Sequence, residues 1–245
     1  MTSTRRTAIV LGGSGAVGTA LVRALLHDEG FGTVITLSRR SLPELVTMAR
    51  AAGRTLLEKL VPNMEPQSLA AATLEAAREI DGDLEGFSVL GIGAGTAKLT
   101  VDEHRAVDVA LNAAFARGLR DSGKVQHLAF MSAVGADPTA SADGNGAAGM
   151  ARYNRVKGES EQSVRASGPP IVSVFRPGMI LGSPHTPWIL AKALPLFGFV
   201  TPGKFKSIHV DQIAKAMIAT AKKHPATSAT YHYPEMIALI ASDRR

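Results

Sequence analysis

The chain has 245 residues, 45% of them apolar, and its 27 lysines and arginines against 21 acids give a net charge of +6. It has no cysteine, which excludes disulfides, thiolate catalysis and cysteine-ligated zinc. The basic residues are scattered and not interleaved with aromatics, so an anionic small ligand is expected and nucleic acid is not.

Thr7 to Leu11 (T-A-I-V-L) reads as a buried parallel strand. Gly12-Gly13-Ser14-Gly15-Ala16-Val17-Gly18 follows, and then an amphipathic helix with Val17, Leu21, Ala24 and Leu25 on one face. In this G-x-x-G-x-x-G turn, Gly12 allows a sharp reversal, Gly15 lets a pyrophosphate approach the backbone, and Gly18 lets the helix pack on the strand. The free N–H groups of the helix start then face the phosphates. Three glycines alone are a weak signal; strand, turn and helix in this order are the context the motif needs.

Gly32 to Leu37 reads as the second strand, and Ser38-Arg39-Arg40 follows with no acid between Phe31 and Pro43. A carboxylate there would bind the NAD ribose hydroxyls. Two guanidiniums and a hydroxyl suit a 2′-phosphate, which predicts NADP(H). Leu42 to Ala52 is expected to be helical, Thr55 to Val61 a third strand, Pro66 to Arg78 a helix, and Phe87 to Ile92 a fourth strand. Gly93-Ala94-Gly95-Thr96 after it would form the opposite lip of the cleft.

Val101 to Ser122 has core residues at helical spacing, and His127 to Met131 reads as a fifth strand ending at Ser132. From Asp137 to Gly149 the chain has almost nothing to bury and is expected to form a mobile loop. Tyr153 opens the next predicted helix, to about Ala166, and Ile171 to Phe175 is the sixth strand. Beyond Arg176 the chain reads as short loops and helices, including Val210 to Lys222, within a single domain over residues 1–245. Residues 176–245 would form a small substrate-covering segment.

Tyr153 and Lys157 are four apart and share a helix face. Carbonyl reduction by a nicotinamide needs a proton at oxygen as hydride reaches carbon. A phenol can supply it, a nearby ammonium favours the phenolate, and a serine hydroxyl can orient the oxygen. Ser132, Tyr153 and Lys157 are the expected catalytic residues. His104, His185 and His209 have no ligand spacing, so no metal is expected.

With these motifs in hand, the chain resembles the short-chain dehydrogenase/reductase superfamily, and more narrowly its atypical, NAD(P)-binding branch that includes the Tat-interacting protein. The marking stretches are the glycine turn, Ser38-Arg39-Arg40, Val89-Leu90-Gly91, Phe130 to Asp137, Tyr153 to Glu159 and Val174 to Gly178. The resemblance implies an α/β, Rossmann-like, doubly wound parallel sheet binding NADP(H). The implied cofactor contacts are Gly12, Gly13, Ser14, Gly15, Ala16, Val17 and Gly18; Ser38, Arg39 and Arg40; Val61; Leu90, Gly91 and Ile92; Lys157 on the ribose; and Pro177, Met179 and Ile180 at the nicotinamide. Three features depart from the branch. Ser132 and Tyr153 are 21 positions apart, the carboxylate expected after strand three is replaced around Pro62-Asn63, and only Asn112 is a candidate for the helix asparagine.

The expected activity is NADP(H)-dependent reduction of a small carbonyl, or oxidation of an alcohol. The alternative is a regulatory protein that senses NADP(H). A nucleotide-sugar epimerase ranks last, since roughly seventy residues after strand six are few for its second domain. Trp188, Leu190, Leu194, Phe197 and Phe199 would line an apolar pocket, pack in the core or form a subunit interface, core packing ranking first. The apolar run Trp188 to Val200 contains Lys192 and Pro195 and is too short to span a bilayer, and the run after Arg5-Arg6 is too short for a signal-peptide core. A cytoplasmic monomer or homodimer acting on a small-molecule substrate is expected.

Overall fold

β1 (Arg6–Leu11) can lie at the centre of a sheet because Ala8, Ile9, Val10 and Leu11 have no surface left for water. The structure, a computed structural model, describes residues 5–93, 99–141, 147–182 and 203–243. Among these, β1, β2 (Phe31–Ser38), β3 (Thr55–Leu60), β4 (Leu84–Ser88), β5 (Val125–Met131), β6 (Ile171–Phe175) and β9 (Ala229–Tyr231) form one parallel sheet, in the order β3-β2-β1-β4-β5-β6-β9. A separate pair, β7 (Ile180–Leu181) and β8 (Ile208–His209), is also parallel.

Alternation along β1 sends Ala8 and Val10 to one face and Ile9 and Leu11 to the other, and each face has its own core. The first face is covered by α1 (Ala16–His27), α2 (Pro43–Ala51), α7 (Val210–Lys222) and α8 (Tyr233–Asp243). The second is covered by α3 (Pro66–Arg78), α5 (Asn112–Asp121) and α6 (Ala147–Ser167). This is the expected doubly wound α/β fold. The crossovers reverse between β1 and β4, where Val89 N–H donates to Leu11 O at 3.0 Å. Such a switch point opens a crevice at the strand ends.

The elements with local stop signals lie where expected: α3 starts at Pro66, and α7 and β6 match their predicted bounds. β4 does not. It runs from Leu84 to Ser88, three residues before the predicted start, and Val89 to Ile92 leave the sheet. Leu84-Glu85-Gly86 looks too polar for a central strand, but Glu85 is buried against Arg6 (3.2 Å) and His127 (2.9 Å). The predicted helix 101–122 begins as α4 (Val101–Arg105), whose Thr100–Glu103 capping box sets its start. It widens into a π-helical segment (Ala106–Leu111) and continues as α5.

α6 begins at Ala147, six residues before the expected Tyr153, because the Ala-rich run that reads as loop is also a good helix former. The loop expected over 137–149 is shorter at its far end, where α6 takes residues 147–149. It starts with a turn in which Thr139 N–H and Oγ1 donate to Asp137 Oδ1, and its middle, 142–146, lies outside the described residues. So do the lip residues 94–96, His185, and Trp188, Leu190, Leu194, Phe197 and Phe199. Of the segment 176–245, residues 203–243 contribute a 3₁₀ turn (Gly203–Phe205), β8, α7, β9 and α8, and α7 packs its buried Ile213 and Met217 into the main core.

β3 borders the sheet, with Leu57 and Leu60 exposed. Its Lys59 reaches Glu75 at 3.3 Å and Glu79 at 2.8 Å on α3. On the same face α5 meets α3 at Gly118, where a Cβ would stand 2.6 Å from Ala70 O and 2.7 Å from Thr73 Cβ. Gly118→Ala should therefore force the two helices apart and cost about 1–3 kcal/mol. Urea denaturation reads this directly, and a loss within error of zero would mean the contact yields freely.

Candidate functional site

The glycine turn after β1 is held by close contacts. Gly12 takes φ +89°, and a Cβ there would lie 2.7 Å from Leu90 N. A Cβ on Gly18 would stand 2.0 Å from Gly12 O, so α1 sits against the turn at a distance only glycine permits. Gly15 is the N-cap of α1 and supplies no side-chain bond, which leaves the first-turn N–H groups available to a ligand.

In front of that helix start lies a cavity of about 630 Å³. Gly12, Ser14 and Gly15 form one wall, Ser38 and Arg39 another, and Leu90, Gly91 and Ile92 the floor. The remaining lining comes from Leu37 of β2, from Val89, from Asn63, Met64, Glu65 and Pro66 after β3, and from Ala106, Val107, Ala110 and Leu111 of the π-segment. A glycine cradle, an uncapped helix start and a guanidinium along one crevice fit a dinucleotide.

Not every expected contact reaches this cavity. Gly13 packs on Thr36 and Leu42, Val17 and Val61 are core residues, and Ala16 lies against the core. Arg40 is exposed and does not line the cavity; its carbonyl accepts the Ser38 hydroxyl at 2.8 Å. Pro177 and Met179 use their carbonyls on Val134 and Ile208 N–H, and Ile180 lies in β7, outside the cavity lining.

Beneath the floor lies a cluster of polar groups. Lys157, 3% exposed, donates from Nζ to Asp108 Oδ1 at 2.8 Å, and Asp108 is 0% exposed. The other Asp108 oxygen accepts Ile92 N–H at 3.1 Å. A Cβ on Gly91 would stand 2.9 Å from Lys157 Nζ and 3.2 Å from Asp108 Oδ1, so the pair lies directly under that glycine. The Tyr153 ring centroid is 6.0 Å from Nζ and stacks on the His104 ring at 5.8 Å. His104 Nε2 is 3.7 Å from Asp108 Oδ2, longer than a hydrogen bond, and neither His104 ring nitrogen has a hydrogen-bond partner among the described residues.

Asn112 donates to Leu90 O (3.3 Å) and Asp108 O (2.9 Å), and accepts from Ser88 Oγ. Ser160 Oγ also donates to Asp108 O. Ser132 follows β5 directly, and its N–H donates to Phe175 O at 2.7 Å. Its buried Oγ has no partner among the described residues. On the outer side, Arg105 grips Glu159 with two bonds of 2.7 Å and ties α4 to α6.

Asp108 and His104 are site residues that sequence reading did not assign. Their own spacing, four apart on a helix, was the available signal. The electrostatics explain how charges persist there. Burial pushes the Asp108 carboxyl up, but the Lys157 ammonium, His104 and the Lys157 hydrogen bond outweigh it and hold the carboxyl at about 2. Burial pushes Lys157 down, and Asp108, with Tyr153 and Glu161, more than compensates and raises it. Among the described residues no group of three or more His, Asp or Glu is placed to hold a metal ion, and no helix is long and apolar enough to cross a membrane.

No family model matches the chain. Its fold is that of solved short-chain dehydrogenases/reductases. It superposes on a 3-oxoacyl-[acyl-carrier protein] reductase from Brucella melitensis with a TM-score of 0.68 and 15% identity, over 96% of this chain and 99% of that one. With a short-chain dehydrogenase/reductase from Serratia marcescens the TM-score is 0.65 at 19% identity, over 93% and 97%. Among curated proteins, the chain is similar to protein FMP52-1, mitochondrial, of Scheffersomyces stipitis, 27% identical over 179 residues, 73% of this chain and 69% of that protein. It is similar also to protein fmp52, mitochondrial, of Aspergillus niger, 29% identical over 173 residues, 71% and 66%. The matches thus span about two thirds of the relatives' lengths. Their names overturn the expectation of a cytoplasmic protein. That expectation rested on the lack of a secretory signal, which does not bear on a mitochondrial address.

With Asp108 at about 2 against an ordinary 3.8, its contribution to stability is present above about pH 4 and is lost as pH falls through 2. Wild type should lose about 2 kcal/mol more than Asp108→Asn between about pH 5 and pH 2. Denaturation across that range compares them, and equal losses would place the acid sensitivity elsewhere.

Proposed function

We propose that the protein is an NADP(H)-dependent oxidoreductase of the atypical short-chain dehydrogenase/reductase branch, reducing a small carbonyl or oxidising the corresponding alcohol. The observation that carries this reading is the Lys157 ammonium under Gly91, at the floor of the glycine-lined cleft and 6.0 Å from the Tyr153 ring. The glycine turn and the α1 start would hold the pyrophosphate. Arg39 would face a 2′-phosphate, because Arg40 lies outside the cavity and the Ser38 hydroxyl already donates to the Arg40 carbonyl. When bound, the nicotinamide supplies or accepts the hydride.

The chain's own groups handle the proton and the positioning. An ammonium has three N–H donors; Lys157 gives one to Asp108, which leaves two for the ribose hydroxyls and the phenol. Tyr153 passes its proton to the substrate oxygen, and the Ser132 hydroxyl, which has no partner among the described residues, orients that oxygen by donating a hydrogen bond to it.

NADPH should bind about tenfold or more tightly than NADH, as one charge-assisted contact allows. Arg39→Ala should abolish that preference and Arg40→Ala should largely keep it. Fluorescence titration of both cofactors measures this, and equal affinities in wild type would refute the NADP(H) assignment. Tyr153→Phe should lower kcat by about 10²–10⁴ and leave NADPH affinity nearly unchanged. Turnover of a carbonyl panel followed by NADPH absorbance is the assay. Full turnover in Tyr153→Phe would move the proton donor elsewhere, and tight NADPH binding with no turnover of any carbonyl or alcohol would favour a sensor of NADP(H).

A further inference from the structure

Asp108 is a buried carboxylate for which the chemistry above has no direct use. It nevertheless has a polar partner on each element it meets. From α6 it faces Lys157, with the Tyr153 ring beside that ammonium and Glu161 contributing at longer range; Glu161 is itself paired with Arg176. From α4 it faces His104, and from the β4 exit it meets the Ile92 N–H and no charged side chain. The π-segment places it there. Asp108 in this wider stretch and Asn112, just past it at the start of α5, are both 0% exposed, and both reach the β4 exit, at Ile92 N–H and Leu90 O.

A lone buried ammonium in such a place sheds its proton readily. It would also have no fixed direction, because a lysine side chain is flexible. We propose that Asp108 is the positioning residue of this site, holding Lys157 charged and aimed at the cleft floor under Gly91. The carboxylate neither lines the cleft nor touches a reacting atom: one oxygen acts through Lys157, and the other holds the floor by accepting the Ile92 N–H. The charge coupling stands on the geometry alone, whereas its use in the cleft rests on the cofactor reading above.

Two measurements on the full-length chain test these separately. The first is denaturation between about pH 6 and pH 10. A lysine held above its ordinary range contributes stability below that range and loses it as pH rises through it, so wild type should not gain stability with pH. In Asp108→Asn the unpaired ammonium is penalised while charged, so that variant should become more stable as pH rises. Asp108→Glu, which keeps the charge, should follow wild type. If Asp108→Asn fails to fold, the double variant Asp108→Asn/Lys157→Met should recover folding, since it buries no lone charge. Parallel curves for wild type and Asp108→Asn, or a double variant no more stable than Asp108→Asn, overturn the proposal.

The second measurement is NADPH affinity over the same range. Asp108→Asn should bind NADPH more weakly than wild type already at about pH 6, where Lys157 has lost its fixed direction, and the gap should widen by about tenfold or more by about pH 9, where the charge is lost as well. A constant ratio overturns the role in the cleft. Absence of NADPH and NADH binding to wild type would overturn the cofactor reading, and the denaturation curves still decide the charge coupling.

Discussion

The closeness of α1 to the turn after β1 is the constraint on which the rest of the site depends. Because Gly18 carries no Cβ, the helix start comes up against Gly12 O, and Gly12 in turn lies against the backbone of Leu90. The turn, the helix start six residues on and the distant β4 exit are thereby brought within van der Waals contact. A side chain at either glycine would push the helix start or the β4 exit away, and the crevice between them would lose its shape. The buried ion pair lies under the same β4 exit, at Gly91, so glycines set both walls of the site.

Charge is taken into this fold repeatedly, and each time with compensation. Glu85 meets Arg6 and His127, Glu161 meets Arg176 through two bonds of 2.9 and 2.8 Å, and Asp108 meets Lys157. Such pairs contribute little net stability, because desolvation offsets their attraction, but losing one partner is costly. Their value lies in direction. Each one joins separate elements: Glu85 on β4 joins β1 to β5, Glu161 joins α6 to the residue after β6, and Asp108 joins the π-segment to α6 and the β4 exit. The Arg105–Glu159 pair adds a half-exposed strap on the outside of the same helix. α6, which carries Tyr153 and Lys157, is thus fixed by polar contacts along its length as well as by Val156 and Val164 in the interior.

Where the chain carries local signals, reading it was enough. Pro66 opens α3, Tyr153 and Lys157 share a helix face because the spacing is four, and the apolar run after Thr7 could only be a central strand. What depends on partners elsewhere in the fold was not legible. Glu85 sits inside β4 because Arg6 and His127 come to it from other strands, so the strand starts earlier than its own residues suggest. The π-segment breaks the regular helical period between Ala106 and Leu111, so Asp108 could not be aligned with Lys157 from spacing alone. Arg39 and Arg40 are neighbours with one chemistry, and only the path of the loop separates the one that lines the cavity from the one that does not. The β4 exit residues Leu90, Gly91 and Ile92 were expected at the cleft and line it, but as loop and not as strand.

Lys59 bears on a different matter, how the molecule keeps to itself in solution. β3 ends the sheet with its outer backbone groups unpaired among the described residues, and Leu57 and Leu60 are partly bare beside them. A foreign strand adding to this border would have to dehydrate an ammonium held by two glutamates. Those charges are near the surface and screened by salt, so the barrier against strand addition is strongest in dilute buffer and weakens as ionic strength rises. Lys59 thus guards the border near the carboxyl end of β3, the strand whose following residues, Asn63 to Pro66, line the cleft.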